Sequence, residues 1–267
     1  MTSETAPAGR PERTAPGSTP HAAAQPSPSP VVVVGAGGYV GSRLAAGLAR
    51  TGRTVLAASR TPVPVPVHDG GPEPVPDELG GLVRPVTYAD AAGLGDAVRE
   101  ACDRDGLPLP GGVAAAIGGW QLGARLLDEP DLDAWRTTLD SHLTAHLATI
   151  RALVPVLRDS AHPRPAHVVL NGAARAQPMA GSGAINVTGA GLAMLVRVLN
   201  LEEDPLGATP PDAEERRRVR FHELVIDHAV AGDDRNVTPD RTVAPAAVTA
   251  ALTTILDDPA TPAVVHV

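Results

Sequence analysis

Glycines that follow a buried strand are the residues of this sequence that most directly indicate chemistry. The valines Val31–Val34 form a run typical of a buried parallel strand, and Gly35, Gly38 and Gly41 follow it at three-residue intervals. Glycine permits a tight turn and a close backbone approach to a pyrophosphate at the N-terminus of the next helix. The spacing departs from the commonest dinucleotide fingerprint, because Val40 stands where that pattern has a glycine. A structural turn without a ligand is the alternative. The predicted cofactor contacts in this loop are Gly35, Gly37, Gly38, Tyr39, Val40 and Gly41.

The end of the second predicted strand indicates which dinucleotide would fit. An acidic residue about 20 positions past the glycines would accept hydrogen bonds from the ribose of NAD. This sequence has Ser59 and Arg60 there, so no carboxylate repels a 2′-phosphate and a guanidinium can pair with it. Both residues are therefore predicted to bind the cofactor and to favour NADP(H) over NAD(H). The alternative is that Arg60 is a solvated loop residue.

Polar and aromatic residues follow other predicted strands, whose carboxyl ends should meet at one crevice. Asn171 and Arg175, after the fifth strand, could bind a substrate carbonyl or carboxylate. Asp227 and His228, after the sixth, could form a carboxylate–imidazole pair, although adjacent residues of a strand point to opposite faces. Trp120, after the fourth, could be a platform for a planar substrate. Alternatively, Arg175 faces solvent and Trp120 is buried beneath a loop.

The elements that position these residues alternate between apolar strand-like runs and amphipathic helices, which is typical of a parallel sheet. We predict an α/β fold with a single Rossmann-type doubly wound sheet, about seven parallel strands and helices on both faces. The predicted strands are 31–34, 54–58, 82–86, 112–117, 167–170, 220–226 and 263–267. The predicted helices are 42–51, 93–103, 133–159 (bent or broken near Pro155), 186–203 and 244–257.

Two segments stand apart from this pattern. Residues 1–30 are rich in Pro, Ala, Ser and Thr and are predicted to be a disordered tail before a single dinucleotide-binding domain at 31–267. Residues 61–81 carry six prolines, which favour an extended loop and forbid a helix. We find no secretory signal and no run of about 18 uninterrupted apolar residues, so a cytoplasmic protein without a membrane partner is expected.

Composition and charge exclude other functions. The net charge of −8 disfavours non-specific binding to nucleic acid, which needs a basic face. The single cysteine, Cys102, cannot form an internal disulfide, and the nine histidines lack the spacing of zinc ligands. We therefore expect neither a metal nor a nucleic-acid partner. A small-molecule substrate is expected.

Taken together, the segments from 31 to 267 resemble the short-chain dehydrogenase/reductase family. The glycine loop and residues 113–120 carry part of the resemblance. Residues 135–144 resemble the helix that holds the family's active-site asparagine, and 194–202 the end of the helix that holds its Tyr-x-x-x-Lys motif. The resemblance implies a cofactor pocket that includes Gly118 and Gly119, in the place of the family's Asn-Ala-Gly.

The resemblance ends at the family's catalytic residues. The positions of its Asn, Ser, Tyr and Lys hold His142, Gly172, Ile185 and Gly189, all 22 basic residues are arginines, and both tyrosines lie in the first third of the chain. The family's phenol normally exchanges the carbonyl proton, with its pKa lowered by the lysine, so that mechanism is excluded. An imidazole can donate or accept a proton, so His142 could replace the acid or hold a water. The alternative to this role is that His142 packs on its own helix. Ile185, at the tyrosine position, is a predicted substrate contact.

These features predict a divergent NADP-dependent oxidoreductase that acts on a small carbonyl, enone or imine. One alternative is a non-redox protein on the same scaffold, either an isomerase, cyclase or dehydratase, or an NADP-responsive regulator. Another is an inactive structural partner. The two long helices, 133–159 and 186–203, are predicted to form the interface of a homodimer or homotetramer.

Overall fold

The computed structural model of the chain describes residues 29–62, 81–120, 122–123, 125–128, 132–203, 218–233 and 240–267. The predicted tail and most of the proline-rich loop lie outside the described residues, so both stay predictions. Pro30 already belongs to the folded part. It is buried, and its carbonyl accepts a hydrogen bond from the backbone N–H of Gly111 at 3.0 Å.

Seven parallel strands form the central sheet, which confirms the predicted fold class. The strands in chain order are β1 Val31–Val34, β2 Val55–Ser59, β3 Val83–Thr87, β4 Gly112–Ala115, β5 Ala166–Gly172, β6 Arg220–Ile226, β7 Ala229–Val230, β8 Thr242–Val243 and β9 Val264–His266. The sheet has the order β3-β2-β1-β4-β5-β6-β9, and β7 and β8 form a separate short pair that was not predicted. From β1, the strands β2 and β3 are added on one side of the sheet and β4, β5 and β6 on the other, so the strand order reverses between β1 and β4. A ligand crevice is expected outside the carboxyl ends of these two strands.

Helices cover both faces of the sheet. They are α1 Tyr39–Arg50, α2 Leu94–Asp105, α3 Asp133–Leu139, α4 Ala145–Asp159, α5 Gly183–Glu203 and α6 Pro245–Asp257. Leucines and isoleucines of α1 and α6 pack on one face, and apolar side chains of α2, α4 and α5 pack on the other. The first strand is buried from both sides, which is why four consecutive valines occupy it.

One long helix has an irregular turn that the sequence did not predict. A π-helical turn, Asp140–Thr144, joins α3 to α4, whereas Pro155 lies inside regular α-helix. The predicted break at Pro155 is therefore wrong. The wider turn leaves carbonyls without their usual partners. The Ser141 hydroxyl donates to the Thr137 carbonyl at 2.7 Å, which provides one replacement.

Two histidines are buried in the core next to the sheet. His146 of α4 is 1% exposed and His167 of β5 is 0% exposed. Burial, the largest cause, lowers the pKa of His146 to about 4 and that of His167 to about 3. Both imidazoles therefore remain neutral in the folded chain at pH values where the unfolded chain would protonate them.

We predict that the free energy of unfolding decreases as the pH falls from about 6.5 towards 4. Each buried histidine should contribute roughly 1.4 kcal/mol per pH unit, because the unfolded state takes up a proton that the folded state excludes. Urea denaturation at pH 7, 6 and 5 measures this slope. His167→Leu should reduce it, and the matched change at the exposed His228 should not. An unchanged slope in His167→Leu would contradict the prediction.

Candidate functional site

The glycine turn after β1 is shaped by close backbone contacts. Gly35 has φ +81°, and a Cβ there would lie 2.3 Å from the Ala116 carbonyl oxygen. A Cβ on Gly41 would lie 2.2 Å from the Gly35 carbonyl oxygen. Both glycines are therefore required for α1 to begin directly beside the exits of β1 and β4. The N-terminus of α1, where backbone N–H groups and the helix dipole favour an anion, lies at the crevice as a result.

The end of β2 presents a cation and no acid. Ser59 is buried and its hydroxyl donates to the Thr61 carbonyl, whereas Arg60 is exposed. Burial raises the pKa of the Tyr88 phenol, and the charge of Arg60 opposes this effect. Of the two predicted contacts, Arg60 is the one whose side chain is available to a ligand.

His142 lies in the π-helical turn and contacts the exit of β4. Its Nε2 lies 2.9 Å from the backbone N of Gly119, and its Nδ1 lies 3.1 Å from the Thr138 carbonyl oxygen. Nε2 also lies 2.9 Å from the Gly119 carbonyl oxygen, and Nδ1 lies 3.0 Å from the Ser141 hydroxyl oxygen, so both ring nitrogens contact protein. Gly118 has φ +99°, and a Cβ there would lie 2.6 Å from the imidazole. The ring therefore holds Gly118 and Gly119 in place, which is the packed arrangement that the sequence left open.

The exit of β5 contains a buried polar cluster. Asn171 donates from Nδ2 to Glu223 at 2.7 Å and to the Gly189 carbonyl at 2.9 Å, and its Oδ1 accepts from the Gly172 N–H at 2.9 Å. The Nε of Arg175 lies 2.7 Å from the same Glu223 oxygen. Asn171 is thus occupied within the protein, whereas the Arg175 side chain remains 22% exposed.

Glu223 was missed by the sequence reasoning. It lies in β6, its side chain is only 1% exposed, and its second carboxylate oxygen has no hydrogen bond among the described residues. Its signal was an acidic residue in the middle of a predicted strand of the sheet, since a buried charge requires a partner. The partner Arg175 approaches closely because position 189 is glycine: a Cβ there would lie 3.2 Å from the Arg175 Cα.

The remaining predicted residues lie around this crevice without forming a common group. Asp227 pairs with His266 at 3.0 Å, so the predicted pairing with His228 is wrong; the neighbouring His228 is exposed. Trp120 is 43% exposed at the exit of β4. Ile185 is buried and lines a cavity of about 40 Å³ between the starts of α3 and α5. That volume accommodates a few water molecules.

Tyr39, the first residue of α1, makes a long-range contact. Its hydroxyl donates to the Ala231 carbonyl at 2.5 Å, and the Arg43 guanidinium carbon lies 3.3 Å from the centre of its ring. This residue was predicted to contact the cofactor through the glycine loop. Its side chain connects that loop to the segment after β6, and the contact with a cofactor stays a prediction.

The residues present fit the phosphate portion of a nicotinamide dinucleotide. The α1 N-terminus would hold the pyrophosphate, and Arg60 is an exposed cation at the end of the neighbouring strand β2. Among the described residues, no group of His, Cys, Asp and Glu side chains could hold a metal ion.

We predict that loss of Arg175 destabilises the fold more than loss of Glu223. Arg175→Met leaves a carboxylate that cannot reach water, which should cost about 3–5 kcal/mol. Glu223→Gln should cost only about 1–3 kcal/mol, because Arg175 can turn towards solvent. Urea denaturation compares the two variants. Arg104→Met, which removes an exposed ion pair with Asp105, is the control and should change little. Equal small effects at positions 175 and 223 would contradict the prediction.

Comparison with known proteins shows similarity of structure but not of sequence. No protein-family model and no curated protein matches the sequence. A short-chain dehydrogenase from Mycobacterium smegmatis is 18% identical, with 90% of this chain and 91% of that chain covered and a TM-score of 0.66. An oxidoreductase of the short-chain dehydrogenase/reductase family from Burkholderia thailandensis is 22% identical, covers 90% and 91%, and has a TM-score of 0.64.

A third solved structure was determined with a dinucleotide. It is a short-chain dehydrogenase from Burkholderia cenocepacia J2315 in complex with NADP, 18% identical, with 90% and 88% covered and a TM-score of 0.63. At these identities the likeness concerns the fold. The chain described here therefore has the Rossmann-like fold of the short-chain dehydrogenases/reductases.

Proposed function

We propose that this chain is an NADP(H)-dependent oxidoreductase that acts on a small carbonyl, enone or imine. The observation that carries the proposal is the pairing of two features at one edge of the sheet. The N-terminus of α1 lies at the β1–β4 crevice, and Arg60 is exposed at the end of the neighbouring β2, where NAD-binding sites have a carboxylate.

The chain's own residues would position the reactants. The first turn of α1 would orient the pyrophosphate, and His142 and His146, which hydrogen-bond the backbone of Gly119 and Ile117, fix the exit of β4 beside it. When bound, the cofactor supplies the hydride. Positioning of this kind accounts for a large part of catalysis, even when no side chain transfers a proton.

The substrate class follows from the missing acid. Ile185 and Gly189 occupy the places of the family's tyrosine and lysine, and neither can donate a proton. Reduction of an iminium needs no proton in the hydride step, and an enolate formed from an enone can take its proton from water. Such substrates suit this crevice better than an unactivated ketone. Arg175, with its partly exposed guanidinium, is the candidate contact for a substrate carbonyl or carboxylate.

A second candidate function is an NADP-responsive regulator. The observation in its favour is that both ring nitrogens of His142 and all hydrogen-bonding groups of the Asn171 side chain contact protein. A site whose polar groups are already satisfied can bind a cofactor without turning over a substrate. The non-redox enzymes of this scaffold have no comparable support, because they also need a free acid or base.

A second copy of the chain is the proposed protein partner. Helix α5 is long and apolar enough to cross a membrane by length and composition, with a mean hydropathy of 1.5. It packs on β5 and β6, as a core helix does. On its outer face Val187, Met194, Val198 and Leu201 are 41% to 66% exposed at helical spacing. We expect this stripe to be covered in a cytoplasmic homodimer or homotetramer.

Binding of NADPH should be tighter than binding of NADH and should depend on Arg60. Arg60→Ala should weaken NADPH binding roughly 10- to 100-fold, the range for loss of one charge-assisted hydrogen bond, and should leave NADH binding unchanged. Fluorescence titration measures both constants. Arg104→Ala, on the C-terminal turn of α2, is the matched control. Weak binding of both cofactors by the unaltered chain would overturn the proposal.

Turnover separates the two candidate functions. The purified chain is mixed with NADPH and a panel of enones, imines and ketones. It should oxidise the cofactor when the substrate is an enone or an imine. Tight NADPH binding without oxidation by any substrate would favour the regulator.

Sedimentation velocity tests the proposed interface. The unaltered chain should sediment as a dimer or tetramer, and Met194→Glu should lower its association, because a charge would be buried against an apolar surface. Thr254→Glu, at an exposed position of α6, is the control. A monomer at micromolar concentration would contradict the interface.

A further inference from the structure

The segment after β6 crosses the candidate cofactor crevice. β4 and β5 separate β6 from β1 in the sheet, so the ends of β6 and β1 lie three strand spacings apart, roughly 14 Å. The chain leaves β6 at Asp227, yet Ala231 already contacts the first residue of α1, beside β1. Residues 227–232, here called the strap, therefore run across the carboxyl ends of β5 and β4.

Two attachments hold the far end of the strap. Val230 is 4% exposed and belongs to the apolar cluster that also contains Leu44 of α1 and Val248 of α6. The Ala231 N–H donates to the Val243 carbonyl at 2.8 Å, which continues the pairing of β7 with β8. These contacts fix the strap against the side of α1.

The Tyr39 phenol closes the remaining gap between α1 and the strap. Its hydroxyl donates to Ala231, and a Cβ on Gly232, where φ is +84°, would lie 2.5 Å from the same hydroxyl oxygen. Arg43 covers the ring and donates from Nη1 to the Tyr39 carbonyl at 3.1 Å. The turn at 231–232 is thus shaped to receive the phenol, and the guanidinium limits its rotation.

This contact lies where a dinucleotide has to enter. In a doubly wound sheet the pyrophosphate lies at the N-terminus of the first helix, at the reversal of strand order. Tyr39 is the first residue of that helix and joins it to the strap that crosses the crevice. We propose that the Tyr39–Ala231 hydrogen bond is a latch that keeps the strap closed, and that NADP(H) enters when it opens; this rests on the function proposed above.

Removal of the latch should therefore favour cofactor entry. Tyr39→Phe keeps the ring and loses the hydrogen bond, so NADPH should bind about two- to tenfold tighter and associate faster, as expected for one lost hydrogen bond. Gly232→Ala, which pushes a methyl group against the phenol, should act in the same direction. Thr51→Val removes a hydroxyl at the other end of α1 and is the control. Stopped-flow fluorescence measures rates and affinity.

Amide hydrogen exchange of residues 229–232 without cofactor tests the latch separately. Exchange should be faster in Tyr39→Phe than in the unaltered chain and in Thr51→Val. Faster exchange with unchanged or weaker NADPH binding would overturn the inference and leave the proposed function intact. Absence of NADPH and NADH binding in every variant would overturn the proposed function, and the inference with it. Unchanged exchange would show that the hydrogen bond does not hold the strap.

Discussion

The close backbone approach at Gly35 is the constraint on which the rest of the site depends. The turn after β1, the exit of β4 and the first turn of α1 meet there at distances that allow no Cβ on Gly35 or Gly41. Because three segments meet at one point, the N-terminus of α1 is directed at the crevice. The exit of β4 must then be held in a matching position, and His142 and His146 do this from the helix behind it.

The same crevice contains a polar cluster whose packing depends on the glycine at position 189. Glycine at position 189 leaves room that the backbone of Arg175 and the amide of Asn171 fill. Both side chains then bind Glu223, whose carboxylate could not remain buried without them. Asn171 is thus satisfied within the protein, whereas the second Glu223 oxygen and the Arg175 Nε have no hydrogen bond among the described residues. A substrate would meet the partly exposed Arg175 side chain there, and Ile185 and Gly189 offer it no acid.

The fold could be predicted from the sequence, because its strands are apolar runs and its helices are separated by turn residues. The bounds predicted for β6, 220–226, are the observed ones. The glycine turn after β1 and the place of Arg60 at the end of β2 could also be predicted, because they depend on neighbours in the chain; their contacts with a cofactor stay predictions. The π-helical turn at Asp140–Thr144 was not predicted. It is accompanied by a contact between the Ser141 hydroxyl and the Thr137 carbonyl, and a contact of this kind leaves no periodic pattern in the sequence.

Polar contacts between residues far apart in the sequence could not be predicted either. Asp227 pairs with His266, 39 residues away, in preference to the adjacent His228, and Tyr39 contacts Ala231 across 192 residues. Such pairs form only where the fold brings distant segments together, and the order of the strands has to be known before these segments can be identified.

The strap connects the two candidate functions through a single quantity, the fraction of molecules in which the crevice is open. Apparent cofactor affinity is the intrinsic affinity reduced by that fraction, so a latch closed in about nine molecules of ten weakens binding roughly tenfold. An enzyme with such a latch would turn over at a rate limited by opening. In a regulator, the same opening would itself be the response, because cofactor binding would displace Ala231 from Tyr39.

The chain needs no new acid in order to act as a regulator. The contacts that His142 and Asn171 already make within the protein are an obstacle to catalysis, but they are no obstacle to a protein that only binds the cofactor in one of two states.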